Sequence, residues 1–427
     1  MINSLMESIV KKTSWRLIPF MLSLYILAFL DRSNIGFAKN AYQMDTGLSD
    51  EAFAFGAGVF FVVYAFLGTP ANLMMRKIGA RAWISITTLI WGILSASMGF
   101  ADTETKFILV RILLGVAEAG FFPGMIYLTS QWFPANKRAS IMGLFYMGAP
   151  FALTIGSPIS GALLEMHGFM NQPGWFWMFF IEGVIAILAG IFTYFFLDNS
   201  PQTARFLNDE EKGILIAQLQ LDEKGKTSSK LSDAFTNGKV WYLAIIYMII
   251  QISVYGLTFF LPTTVASILG TNVGFKASVV TAIPWLAALI GTYYIPRYAD
   301  KTKKHINIAA ITLFIAGIGM SGAALISGHS VMAIVGLSFA AMGFIAVQPI
   351  FWTFPTNILT GTALAAGIGF VNMFGAFGGF FAPMIKVYAD KACQNTTAGL
   401  LVLGIITVIG AIAICALHMI VNKKIKM

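Results

Sequence analysis

The sequence predicts an all-α polytopic membrane protein of twelve transmembrane helices in two six-helix halves, and three observations carry that reading. Of 427 residues, 57% are hydrophobic and only 11% charged, against about 25% charged in a typical soluble domain. Such a chain cannot clothe a soluble core, so its apolar surplus faces lipid. Apolar runs near the roughly 20 residues that a bilayer-crossing helix needs recur along the whole chain. The largest polar interruption, 198–239, divides them six from six.

The first run, 15–38, follows Lys11 and Lys12 as a signal peptide would. It is too long for a signal h-region and lacks a small-residue cleavage site, so it reads as an uncleaved first span. Runs at 53–75, 82–101, 107–132, 140–164 and 174–196 complete the first half. Within the interruption, Asn208 and Glu211 form a capping-box pattern. Ile214, Leu215 and Leu219 then read as a short amphipathic helix on the cytoplasmic face of a solvated linker. The second half runs through 240–262, 277–296, 307–326, 331–354, 364–388 and 398–421. The expected units are therefore 1–197, 198–239 and 240–427. The halves echo each other: a basic turn follows the second span (Arg76 to Arg81) and the eighth (Arg297 to Lys304). Likewise Trp132-Phe133-Pro134 ends span four and Trp352-Thr353-Phe354-Pro355 ends span ten. Two repeated halves are a common layout of secondary transporters.

The net charge of +9 would suit nucleic acid, but its placement follows the rule that cytoplasmic loops retain Lys and Arg. With the N-terminus inside, the inner segments hold Lys11, Lys12, Arg16, Arg76, Lys77, Arg81, Lys137 and Arg138. The linker holds Arg205, Lys212, Lys224, Lys226, Lys230 and Lys239, the later inner segments Arg297, Lys301, Lys303, Lys304, Lys423, Lys424 and Lys426. Only Lys39, Lys106, Lys276, Lys386 and Lys391 fall outside. Both termini are expected in the cytoplasm, and nucleic acid is not an expected partner. Cys393 and Cys415 cannot build a disulfide framework or zinc site, Cys415 is expected to pack between helices, and the four histidines lack ligand spacing. Neither a metal nor a cofactor is expected.

Charges inside the hydrocarbon are costly and are functional candidates by default. Here they are Asp31 and Arg32 on span one and Arg111 and Glu118 on span four. Counting 1.5 Å per residue from the outer ends puts Asp31 and Arg32 about 9–11 Å deep, Arg111 about 6 Å and Glu118 about 16 Å. Arg111 and Glu118, seven apart, share a helix face, so adjoining spans one and four would stack all four charges. Arginine suits carboxylate recognition because its planar fork bonds both oxygens. Burial favours a neutral carboxyl group and a nearby arginine favours the ionised one. A carboxylate whose arginine engages elsewhere can therefore exchange a proton. A purely structural ion-pair network is the competing reading, disfavoured because packed apolar residues can replace a buried pair at little cost.

Other features read more blandly. Glu182 is expected near an outer helix end in a structural role, and Glu165 and His167 look solvated. Gly375-Ala376-Phe377-Gly378-Gly379 lacks the Lys-Ser/Thr ending of a phosphate loop and reads as close helix packing. Tyr64, Gln251, Tyr255, Gln348 and Asn372 are polar residues within spans that could line a cavity. Trp285 and Trp352 read either as interface anchors or as a sugar-stacking wall.

Over essentially its whole length the chain resembles the major facilitator superfamily, and within it the anion:cation symporters that carry rhamnonate, galactonate, glucarate and tartrate. The resemblance rests on Leu30-Asp31-Arg32-Ser33-Asn34-Ile35, on Pro70-Ala71-Asn72 leading to Gly79-Ala80-Arg81, and on the run from Arg111 through Glu118 to Gly120. It continues through Phe122-Pro123, Trp132-Phe133-Pro134, Asp198-Asn199-Ser200-Pro201, Phe351-Trp352 and Gly367 to Asn372. It implies proton coupling for Asp31 and Glu118, and anion binding and gating for Arg32 and Arg111. It also implies substrate contact for Tyr64, Trp352 and Asn372, and more loosely for Gln251. Phe29 stands where a galactonate-type relative has tyrosine, which suits a less hydroxylated acid such as a 6-deoxy aldonate. Asn72 replaces the common Asp of the loop after span two, which alters a gating contact. Gly156-Ser157-Pro158 is an imperfect form of the drug-antiporter motif, against efflux.

The expected function is proton-coupled uptake of a monovalent sugar-acid anion, rhamnonate or a similar aldonate, by alternating access. The expected protein is a monomer in the bacterial inner membrane whose partners are its anionic substrate, protons and the lipid bilayer. Proton-independent exchange of organic anions on the same fold is the alternative. An enzyme or receptor would need a nucleophile–base pair, a metal cluster or a soluble domain, and a channel a continuous polar pore; the sequence has none of these.

Overall fold

The computed structural model describes residues 2–224, 233–326, 329–356 and 361–422. Lys226, Lys230, Lys423, Lys424 and Lys426, and the side chains of Asn72, Pro123 and Lys224, lie outside the described residues. The regular elements among the described residues are helices. The first half comprises α1 (Ile2–Thr46), α2 (Asp50–Ile78), α3 (Ala80–Ser97), α4 (Glu104–Glu118), α5 (Phe121–Trp132), α6 (Ala135–Tyr146), α7 (Gly148–Leu164) and α8 (Gly174–Phe196). Between the halves lie α9 (Asp209–Lys224) and α10 (Asp233–Thr236). The second half comprises α11 (Gly238–Ile268), α12 (Phe275–Thr302), α13 (His305–Leu325), α14 (Ser330–Phe351), α15 (Thr353–Thr356), α16 (Gly361–Cys393) and α17 (Ala398–Asn422).

Eleven helical stretches among the described residues are long and apolar enough to cross a membrane. The remaining expected span, 107–132, is present as α4 and α5, interrupted at Ala119 and Gly120. A Cβ on Gly120 would lie 2.7 Å from the Ala71 Cβ and 3.1 Å from the Trp83 indole nitrogen, so the site admits only glycine, a poor helix former. Glu118 thus ends α4. Span five also breaks, at Met147, ahead of Gly148 and of Pro150, which has no N–H for the Tyr146 carbonyl. The turn after α2 needs glycine for its backbone: Gly79 has φ +96°, and Asn199 Oδ1, which accepts the Arg81 N–H at 3.0 Å, crowds the place a Cβ would take.

The most extensive helix contacts pair α3 with α8, α13 with α17, α11 with α16 and α13 with α14. Small residues let these backbones approach, as at Gly92, where a Cβ would meet the Ile187 nitrogen at 2.5 Å. Gly375 and Gly378 press α16 against Tyr247 and Met248 of α11, which is close helix packing. The halves meet along α1–α11, α2–α16 and α7–α12. At the ends expected to face outward, an added Cβ would stand 2.6 Å from Phe259 O at Gly36 and 2.7 Å from Phe380 O at Gly58. Lys391 bonds Glu51 there, and the Phe275 N–H donates to exposed Glu165 at 2.9 Å.

Large apolar side chains such as Phe66, Leu188, Phe195, Ile318 and Ile412 cover the exterior, as lipid contact requires. Cys415 is also exposed there rather than packed between helices, because it shares the outward face of α17 with Ile412. Trp285 is neither an interface anchor nor a cavity wall; it is buried against Phe344, ring centroids 6.5 Å apart. In the linker the capping box forms reciprocally, the Asn208 N–H to Glu211 at 2.9 Å and the Glu211 N–H to Asn208 at 2.8 Å. Leu215 is buried, Lys12 donates to both Glu211 oxygens at 2.9 and 3.2 Å, and Arg16 lies 4.2 Å from the Phe196 ring. Helix α9 is therefore docked on the long N-terminal part of α1.

Candidate functional site

A small cavity lies between the halves, lined by residues of both. Helical spacing decides what reaches it. On α1, Tyr25, Phe29 and Arg32 fall on one face; on α11, Tyr247, Gln251 and Tyr255 recur every four residues. Tyr64 comes from α2, Tyr146 from α6, Gln348 from α14 and Asn372 from α16. All five in-span polar residues singled out in the sequence, Tyr64, Gln251, Tyr255, Gln348 and Asn372, line this space. Arg32 is the one charged residue among the described lining.

Arg32 Nε donates to Glu118 Oε2 at 2.8 Å, and both groups are buried. The guanidinium also lies 5.0 Å from the Tyr64 ring centroid and 5.4 Å from that of Phe60. Its Nη2 and the second Glu118 oxygen have no hydrogen-bond partner. Nη2 is thus unused, although it flanks the same edge of the guanidinium through which Nε holds the carboxylate. Asp31, on the next position of α1, points away from the cavity and accepts from Ser95. Arg111 is fully buried and donates to the carbonyls of Gly56 at 3.2 Å and Ala57 at 3.4 Å. Phe60 lies between the two arginines, 4.8 Å from the Arg111 guanidinium.

The four charges gather. Arg32 pairs with Glu118, while Asp31 and Arg111 share a separate small void with Ser95 and Asn34. Arg111 therefore does not line the main cavity. Neither does Trp352, which packs edge-on against Tyr247 at 4.8 Å and leaves that tyrosine at the wall. Glu182 is not near a helix end: it is buried eight residues into α8, about 12 Å from its start. It accepts from Asn34 Nδ2 at 3.0 Å and Ser160 Oγ at 2.9 Å.

Sequence reasoning missed Tyr25, Tyr146 and Tyr247. For two of them the signal was present, since Tyr25 stands four and seven residues before Phe29 and Arg32, and Tyr247 four before Gln251. Chemically the wall offers one cation, five phenols and three amides, together with the apolar faces of Phe29, Phe122, Val254 and Ile345. Such a set can pair an anionic group and several hydroxyls. The amides and phenols pair hydroxyls in either sense, and the ring faces take C–H surface.

Residues 21–383 match the Major Facilitator Superfamily. The chain is 66% identical over 425 residues to the inner membrane transport protein RhmT of Escherichia coli (strain K12), spanning 100% of this chain and 98% of that one. It is 37% identical over 415 residues to a protein of Agrobacterium vitis named as a candidate tartrate transporter, spanning 96% and 91%. In fold it is similar to a bacterial homolog of the human lysosomal transporter Spinster, with TM-score 0.77 at 18% identity over 94% of this chain and 96% of that chain.

Proposed function

The chain belongs to the major facilitator superfamily and is a transporter, and on that premise we propose that it takes up a monovalent sugar-acid anion together with protons by alternating access. The substrate class is the aldonates, with rhamnonate or a similar 6-deoxy acid the best fit. The observation that carries this reading is Arg32 on the cavity wall, with Nε bonded to Glu118 and Nη2 unpartnered. An incoming carboxylate takes Nη2 and competes with Glu118 for the same edge of the guanidinium. As the pair loosens, Glu118 is left in an apolar interior and takes a proton, so that anion and proton enter together. Asp31, held by Ser95 close to Arg111, is the second proton carrier. Tyr64, Gln251 and Asn372 bond the hydroxyls; Arg111 and Trp352 act from behind the wall, Trp352 by supporting Tyr247. Phe29, Val254 and Ile345 accept the methyl end.

In this reading the units 1–197 and 240–427 rock about the cavity, joined by 198–239, in the bacterial inner membrane with both termini cytoplasmic, and the monomer is the working unit. The testing experiment is a thermal-shift screen of purified protein against aldonic and aldaric acids, with the matching aldoses and lactones as carboxylate-free controls. Stabilisation by rhamnonate and not by rhamnose or its lactone supports the reading; equal stabilisation by the neutral sugars sinks it. Exchange in proteoliposomes that is indifferent to pH would favour a proton-independent exchanger.

A further inference from the structure

Three carboxylates and two arginines are buried together in the first half: Asp31, Glu118, Glu182, Arg32 and Arg111. The coupling scheme above uses all but Glu182, whose setting is different in kind. Among the described residues it makes no ion pair; its oxygens accept from two neutral side chains, Asn34 and Ser160. A hydroxyl and a carboxamide can each donate or accept, so this site is satisfied whether or not the carboxyl group carries a proton. Arginine or backbone N–H partners, which only donate, would suit a fixed anion better. The ionisable groups on elements packed against α8 are few. On α1, Asp31 faces this region while Tyr42 and Asp45 contact the start of α8 and Arg16 its other end; α3 has only Arg81 at its far end, and neither α7 nor the short 3-10 turn Met98–Phe100 has any.

Asn34 is the physical link. It lies one helical turn from Asp31 on the same face of α1 and lines the same small void as Asp31, Ser95 and Arg111. Both Asn34 Oδ1 and Asp31 Oδ2 lack hydrogen-bond partners.

We propose that Glu182 is a third proton-carrying carboxylate of the coupling network and acts as a positioning residue on Asp31 through Asn34. This rests on the reading of Asp31 and Glu118 as the coupling pair. While ionised, Glu182 holds the Asn34 NH2 group. When it takes a proton from hydronium, leaving water, its O–H donates to Asn34 Oδ1, the amide turns over, and the released NH2 is presented toward Asp31. Only the proton is transferred. With all three carboxylates ionised the buried set sums to −1, which is costly at this depth, and one proton shared among them restores neutrality.

The test uses full-length protein in proteoliposomes, with L-rhamnonate as the probe, comparing wild type with Glu182→Gln, Asn34→Val, Asp31→Asn and Glu118→Gln. Exchange is measured from pH 5 to 8, each profile normalised to its own maximum, together with accumulation under a pH gradient of about one unit. Glu182→Gln should move the profile midpoint by about 0.5 unit or more and lower accumulation by up to about tenfold, the worth of one proton per pH unit. Asn34→Val, with Glu182 intact, should move the midpoint too, and it carries the test if Glu182→Gln does not fold. Unmoved profiles in both variants overturn the proposal, even where the maximal rate falls, because that pattern is merely structural. If Asp31→Asn and Glu118→Gln abolish accumulation in the same experiment, the coupling reading survives that failure; if they too leave it intact, the reading falls as well.

Discussion

At the scale of single residues, Arg32 is the group on which the proposed binding turns. Lysine retains the charge but not the fork, and a charge-assisted hydrogen bond is worth about 1.5–3 kcal/mol. Arg32→Lys should therefore weaken sugar-acid binding by about 10–100-fold in calorimetry; unaltered affinity would remove Arg32 from the site. Asn372→Ala, which removes one neutral partner, should cost about 0.5–1.5 kcal/mol while proton-driven accumulation of what is bound persists. Accumulation lost with affinity intact would reverse that assignment. The charged residues were legible in the sequence because ions in apolar spans are conspicuous, and the in-span amides were legible for the same reason. Tyrosines blend into aromatic-rich helices, so Tyr146 had no visible signal. Arg111 and Trp352 were named, but sequence spacing does not reveal which side of a helix faces the cavity once Phe60 and Tyr247 stand in front of them.

At the scale of helices, the crossing of α2 and α16 is a close contact without spare volume. A side chain at Gly58 meets Phe380 O, and overpacking of this kind costs about 1–3 kcal/mol. Gly58→Val should hold the halves apart at that end. A cysteine at Gln251, with Cys393 and Cys415 replaced, should then react roughly tenfold faster with a membrane-impermeant thiol reagent applied from outside. Unchanged reactivity would contradict the crossing as a closure. On the linker, Lys12 and the Asn208 N–H hold the Glu211 carboxyl below its ordinary range. A depressed carboxylate stabilises docking above its unfolded value and ceases to do so as pH falls through the folded one. Protection of the α9 amides, taken relative to the intrinsic exchange rate at each pH, should accordingly fall in acid and stay constant near neutrality. The eleven membrane-crossing stretches among the described residues, and with them the helical run 107–132, were legible from apolar runs. The break at Gly120 was not, because only the proximity of Ala71 and Trp83 makes glycine obligatory there, and the depth of Glu182 was misjudged because its aromatic neighbours resemble an interfacial belt.

At the scale of the whole molecule, the charge count sets the energetics. A monovalent anion entering with one proton moves no net charge, and with two it carries +1. The second case gains about 2.3 kcal/mol per 100 mV in addition to about 1.4 kcal/mol per pH unit for each proton. Two or more carboxylates around Arg32 favour the electrogenic version, with titrations that belong to the set rather than to single residues. Rhamnonate applied to proteoliposomes should evoke an inward positive current, and Glu118→Gln should suppress it while internal and external substrate still exchange. Uptake indifferent to both potential and pH gradient would end the proton-coupled account.

Helix α1 is continuous over 45 residues, about 67 Å, and passes from the docked linker through Asp31 and Arg32 to the tight crossing at Gly36. It is a lever with its fulcrum near one end. From Gly36 to Lys12 the arm is about 36 Å, and to Asp31 about 7.5 Å. A tilt of about 10° about that fulcrum displaces Asp31 by little more than about 1 Å but sweeps Lys12 through about 6 Å. The mechanical gain is nearly fivefold by the same lengths, roughly the ratio of the two arms. Under the proposed alternating access, a motion too small to resolve at the cavity is magnified at Lys12, where a spectroscopic label paired with one on the second half would read it.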